Sequence, residues 1–166
     1  DSAIALLRSL SERDRVSIVS FESKAHLDLP LTQDKSRAID MIKGLSAGGS
    51  TNIGDAIVKA LEELRRNGRG SQMAIILFTD GMLNVGMSEE EIMRGPVQDA
   101  ISMGVRIYTI GYGNPEELNE AFLRELAEST GGKYYYSSDS YQLENIFIET
   151  GQVASGWKHL ISFLGK

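Results

Sequence analysis

Apolar positions recur along this chain in two patterns, helical stripes and short continuous runs, and the switches between them mark out its elements. Ala3, Ile4, Leu7 and Leu10 share one helical stripe that begins almost at the first residue, with no strand before it. Residues 16–21 and 25–31 read as strands. Only Glu22, Ser23 and Lys24 separate them, which favours an antiparallel hairpin. Asp34 caps a helix carrying Ala38, Ile39, Ile42 and Leu45. A loop rich in glycine and hydroxyls follows over residues 46–52, and residues 53–66 form a long amphipathic helix through Ile57, Ala60, Leu61 and Leu64.

The second half repeats strand and helix more regularly. Residues 73–78 are wholly apolar, the mark of a strand covered on both faces in a parallel sheet. Ser88 and Glu91 make a capping box for a helix that Gly95 and Pro96 interrupt before Met103. Residues 105–110 are the next buried strand. Asn114, Pro115 and Glu117 signal a helix running to about Thr130, and a tyrosine-rich strand follows over 133–136. Val153, Trp157, Leu160, Ile161 and Leu164 fall on one stripe, which predicts a C-terminal amphipathic helix over 151–166 packed on the domain. The expected fold class is α/β: a three-layer, doubly wound, mostly parallel open sheet with one antiparallel edge strand, Rossmann-like in organisation. Such sheets bind ligands outside the carboxyl ends of their strands.

Composition narrows the function classes. At 166 residues the chain fits one domain. No apolar run approaches the roughly 18 residues that span a bilayer, so direct membrane insertion is not expected. A net charge of −6 argues against nucleic acid as the main partner, because phosphate binding needs a basic face. The absence of cysteine removes disulfides, thiolate nucleophiles and thiolate metal sites together.

Two segments stand out as candidate chemistry. One is the loop from Gly48 through Gly49, Ser50, Thr51 and Asn52 into a helix that carries Gly54 and Asp55. The other is the point where the apolar strand 73–78 stops at Thr79, Asp80 and Gly81. Both fall at the ligand-binding edge of such a sheet. A hydroxyl and a carboxylate are hard oxygen ligands suited to Mg2+, Mn2+ or Ca2+. Each residue also has a plainer role. Ser50 and Thr51 can simply cap the following helix, and Asp80 with Gly81 can be a strand-ending turn. Ser50, Asn52 and Asp55 are candidate hydrogen bonders behind the metal ligands, although Asp55 equally suits the first-turn dipole and Asn52 can be loop structure. Met82, Leu83 and Val85 either fold back on the domain or join Gly49 and Gly81 in a partner-contacting rim.

At these residues the sequence resembles the von Willebrand factor A family, whose metal-ion-dependent adhesion site draws on three segments. Thr51 matches the family's threonine in a glycine-rich loop, and Asp80 with Gly81 matches its aspartate after the fourth strand. Asp14, Arg15 and Val16 leading into a strand, and Ile107 through Gly111, fit the surrounding pattern. The resemblance runs from Ala3 to about Ile148, and the domain it implies is placed at residues 1–150. It implies an adhesion-type protein–protein interaction module, in which a metal held by Thr51 and Asp80 completes its shell with an Asp or Glu carboxylate from the partner.

One departure qualifies this. The family's first strand ends in an Asp-x-Ser-x-Ser motif that supplies most direct ligands and lies mid-sheet, between the strands matching residues 16–21 and 73–78. This chain shows no such strand, so the domain reads as N-terminally incomplete. An upstream segment or another chain is expected to supply the strand. Thr51 and Asp80 offer about two of roughly six octahedral positions, so the metal is expected to bind weakly.

Rival functions are a metal-independent scaffold subunit of a larger assembly, and an Asp80-dependent phosphoryl-transfer or hydrolase enzyme. A phosphate loop is excluded because Asp55 and Ala56 follow Gly54 where lysine and a hydroxyl belong. Gly111, Tyr112 and Gly113 hint at a dinucleotide fingerprint, but Glu116 stands where its third glycine belongs.

Overall fold

The computed structural model describes residues 8, 14–43, 52–68, 73–79, 86–112, 114–137 and 159–165. Strands β1 (Arg15–Phe21) and β2 (Ala25–Thr32) are followed by helices α1 (Lys35–Lys43) and α2 (Ile53–Asn67). Then come β3 (Met73–Thr79), α3 (Glu89–Arg94), α4 (Pro96–Met103) and β4 (Val105–Tyr112). The order closes with α5 (Glu120–Ser129), β5 (Tyr134–Ser137) and β6 (His159–Gly165). The strands form one sheet in the order β2-β1-β6-β3-β4-β5. All neighbours are parallel except β1 and β2, the antiparallel hairpin at one edge. That is the doubly wound α/β architecture expected from the alternation of strands and helices.

The core follows from which strand positions are apolar on both faces. Val19, Phe21, Ile75, Leu77, Val105 and Ile107 pack in one cluster with Ile57, Leu61 and Leu64 of α2, Val97 and Ala100 of α4, and Leu123 and Leu126 of α5. The alternate positions Val16, Ile18, Ala74, Ile76 and Ile110 are equally buried outside that cluster, as is Ala38 of α1. Polar groups inside are paired, as buried polar groups must be. Ser17 donates to Leu29 O at 2.7 Å, and Thr109 donates to Leu123 O at 2.9 Å. Glu63 is 3% exposed, and its carboxylate accepts from the Leu31 N–H at 2.7 Å and from Asn67 Nδ2 at 2.9 Å. Gly132 lies so close to β4 that a Cβ there would sit 1.9 Å from Ile107 O, so the return from α5 to β5 requires glycine.

Two expectations are corrected. Asn114, Pro115 and Glu117 form a turn, not the first turn of a helix: Glu117 N–H reaches Asn114 O at 3.0 Å, and Asn114 Oδ1 accepts from Glu116 N–H at 3.1 Å. The helix starts at Glu120, where Asn119 Oδ1 caps Phe122 N–H at 3.2 Å. The tail is the second. His159–Gly165 is a strand, not the end of an amphipathic helix over 151–166, and it pairs parallel with β1 on one side and β3 on the other. The helical stripe was real in the sequence, but two neighbouring ladders outweigh a local periodicity. The mid-sheet position expected to need an upstream segment or another chain is filled here by the chain's own β6. Residues 151–158 lie outside the described residues, as does the expected helix over 3–10 apart from Arg8.

Candidate functional site

Because β1, β6, β3, β4 and β5 run parallel, their carboxyl ends share one edge. The register sets Phe21 beside Gly165, Phe78 beside Leu164, Thr79 beside Gly111 and Tyr112 beside Ser137. Thr79, the last residue of β3, is fully buried. The proposed ligands Thr51 and Asp80 lie outside the described residues, as do Gly49, Ser50, Gly81, Met82 and Leu83. What is described is the frame on either side of them.

That frame is a clasp of three segments. Asn52, next to Thr51, caps α2 by accepting from Asp55 N–H at 3.0 Å, while its Nδ2 donates to Ser23 O at 2.9 Å across the hairpin turn. Asp55 Oδ2 in turn accepts from Ala25 N–H at 2.7 Å. The third segment is Gly86, at a φ of +84°, where a Cβ would meet Asn52 Oδ1 at 2.4 Å. A Cβ on Gly54 would meet Met87 Sδ at 2.9 Å. The hairpin turn, the start of α2 and the approach to α3 are thereby tied together at the carboxyl edge. Of the roles left open by sequence, Asn52 is a helix cap and loop tie, and Asp55 holds the hairpin backbone. Ser23, Ala25 and Gly86 were not anticipated. A lone glycine in a loop was the only local signal, and nothing local announces a partner some thirty residues away.

The neighbouring helix starts are ordered in the same way. Ser88 Oγ accepts from Glu91 N–H at 3.1 Å, and Ser88 N–H donates to Glu91 Oε1 at 3.1 Å, completing the expected capping box. The backbone N–H of Ser88, and then its hydroxyl, hold the Glu91 carboxyl below the ordinary glutamate value. Asn119 Nδ2 donates to Glu89 Oε2, linking the starts of α3 and α5. Tyr134 of β5 donates to Glu120 Oε2 at 2.8 Å, with Arg124 5.5 Å from its ring centre. Burial and the adjoining Glu120 carboxylate push that phenol well above its ordinary pKa.

As a cation site, the frame supplies little. Among the described residues no group of three or more His, Cys, Asp or Glu is placed to hold a metal ion. Asn52 and Asp55 are committed to backbone partners. β6, running between β1 and β3, contains no Asp or Glu.

Comparison with known proteins agrees with this architecture. The family model described as the von Willebrand factor type A domain matches residues 1–149. Bovine inter-alpha-trypsin inhibitor heavy chain H4 is 31% identical over 164 residues, covering 90% of this chain and 18% of that protein. The uncharacterized protein YfbK of Escherichia coli K12 is 31% identical over 134 residues, covering 79% of this chain and 23% of that protein. This chain thus spans less than a quarter of either relative. Among solved structures, a von Willebrand factor type A protein from Catenulispora acidiphila superposes with a TM-score of 0.80 at 20% identity, covering 90% of this chain and 36% of that one.

Proposed function

Since this chain belongs to the von Willebrand factor type A domain family, we propose that it is an adhesion-type protein–protein interaction module whose contact surface is the carboxyl edge of the sheet. Domains of this family commonly serve in protein interaction or adhesion. The observation that supports this edge is the clasp at Asn52. It ties the hairpin turn, the start of α2 and Gly86 to one another at that edge, and a preorganised frame spends less ordering entropy on binding.

Thr51 and Asp80 are the oxygen donors this chain offers a divalent cation there. With no carboxylate in β6, and Asn52 and Asp55 already engaged, the described donors do not make a coordination shell. Magnesium or manganese is therefore held weakly. It grips a partner's Asp or Glu carboxylate only when further donors come from outside these residues. The composition of β6 equally favours a second reading, a scaffold whose partner contacts ignore metal.

Thermal unfolding in EDTA and then in excess magnesium or manganese tests the cation site. A ligand bound only by the folded state raises stability by RT ln(1 + [L]/Kd). The expected result is a small upward shift with metal that Asp80→Ala removes, together with metal-dependent uptake of a glutamate-bearing peptide. Indifference to metal in both assays leaves the scaffold reading. Turnover of a generic phosphate ester that Asp80→Ala abolishes would replace both with an enzyme.

A further inference from the structure

The strand at the middle of this sheet is the last to occur in the chain. Arg15 to Phe21 pair with His159 to Gly165, and Met73 to Phe78 pair with His159 to Leu164, both in parallel. β1 and β3 are not neighbours, so the ladder joining the β2–β1 half to the β3–β4–β5 half passes entirely through β6.

Three features set β6 apart. Every other neighbouring pair joins strands consecutive in the chain, whereas both partners of β6 are distant in sequence. Non-local pairings carry the largest loop-closure cost and are the slow ones to form, so β6 is the costliest strand of the sheet to dock. Next, Leu160, Ile161 and Leu164 also fall on a helical stripe with Val153 and Trp157, so local pattern leaves helix and strand both open and the neighbouring ladders decide for strand. Finally, residues 16–21 and 73–78, which flank it, carry no charged residue and are mostly buried. Their backbone groups need a ladder partner, and an identical strand satisfies them whether it arrives from the same chain or another.

We propose that the gap between β1 and β3 is an exchangeable strand site whose alternative occupant is residues 159–165 of a second copy of this chain. Reciprocal exchange preserves every pairing of the sheet, which is why swapped elements are a low-cost route to dimers. It also joins two carboxyl edges in one particle. If those edges are the contact surface proposed above, exchange makes the module bivalent.

The chain contains no cysteine, so introduced thiols report this cleanly. Ser20 pairs with Leu164 across β1 and β6. Neighbouring Cα atoms of a sheet fall within disulfide reach. Full-length Ser20→Cys and Leu164→Cys proteins, mixed in equal amounts, partly unfolded, refolded and oxidised, should give a covalent heterodimer. Ser20→Cys mixed with an exposed control, Arg124→Cys, should not. A second pair on the other flank, Met73→Cys with His159→Cys, repeats the test should either first variant fail to fold. Heterodimer above the control at either pair supports exchange, and its absence at both overturns it. Trapping of a synthetic 159–165 peptide carrying Leu164→Cys, without trapping of the full chain, overturns the second copy as occupant.

Discussion

At the scale of single residues, Asn52 carries three duties at once. It caps α2, bonds the hairpin turn and abuts Gly86. Asn52→Ala should cost about 1–2 kcal/mol through the lost cap and tie, read as a drop in the denaturation midpoint. Gly86→Ala should cost roughly 1–2 kcal/mol from its positive φ alone, and the crowded Asn52 oxygen adds to that. Tyr134 gives a pH signature. Burial, and then the Glu120 carboxylate, raise its folded pKa above the ordinary value of 10, so the folded state holds that proton more tightly than the unfolded one. Its contribution is complete below pH 10 and fades as the pH rises above it. An ultraviolet phenolate titration should show a late component that Tyr134→Phe removes, and the variant should lose less stability than the wild type on the alkaline side. Sequence revealed Asn52 and Asp55 as residues of interest but not what they touch, because their partners Ser23 and Ala25 lie in another element. Thr51 and Asp80 were legible as a motif, and the described frame neither adds to nor removes that reading.

At the scale of elements, legibility follows the range of the interactions. α3 was readable because its capping box closes within four residues, as was β3 because a continuous apolar run marks a strand buried on both faces. Ser88→Ala should cost about 1 kcal/mol and return the Glu91 carboxyl only part of the way to its ordinary value of 4.5, because the Ser88 backbone N–H, the larger cause of the lowering, survives the substitution. The lowered Glu91 pKa means its support for α3 persists above that value and is lost as pH falls through the folded one. Proton-detected titration of Glu91 in both proteins checks the pair of effects. The start of α5 was misjudged because two asparagines five residues apart both look like caps. Asn114 spends its side chain on a turn, and Asn119 caps the helix. The tail was misjudged for the opposite reason: nothing near residues 159–165 announces β1 or β3, which lie far back in the chain.

At the scale of the whole molecule, the sheet is two local units joined by one distant strand. A proline at Ile161, which pairs with both Ser17 and Ile75, removes a ladder donor in mid-sheet. Ile161→Pro should therefore raise hydrogen exchange in β1 and β3 while leaving the β4–β5 pairing comparatively protected, a split that mass spectrometry of proteolytic fragments resolves. If the tail were instead a helix lying on the surface, β1 and β3 would exchange no faster in the variant. The hairpin edge has a further consequence. β2 carries Pro30, which lacks an N–H, and its pairing with β1 is broken by register shifts at Ile18. An outer strand so built is a poor template for fibril growth. Chains whose tail has slipped out present the uncharged runs 16–21 and 73–78 with one ladder open on each, so aggregation should begin at the heart of the sheet and not at that rim, and conditions that seat the tail should also keep the protein in solution.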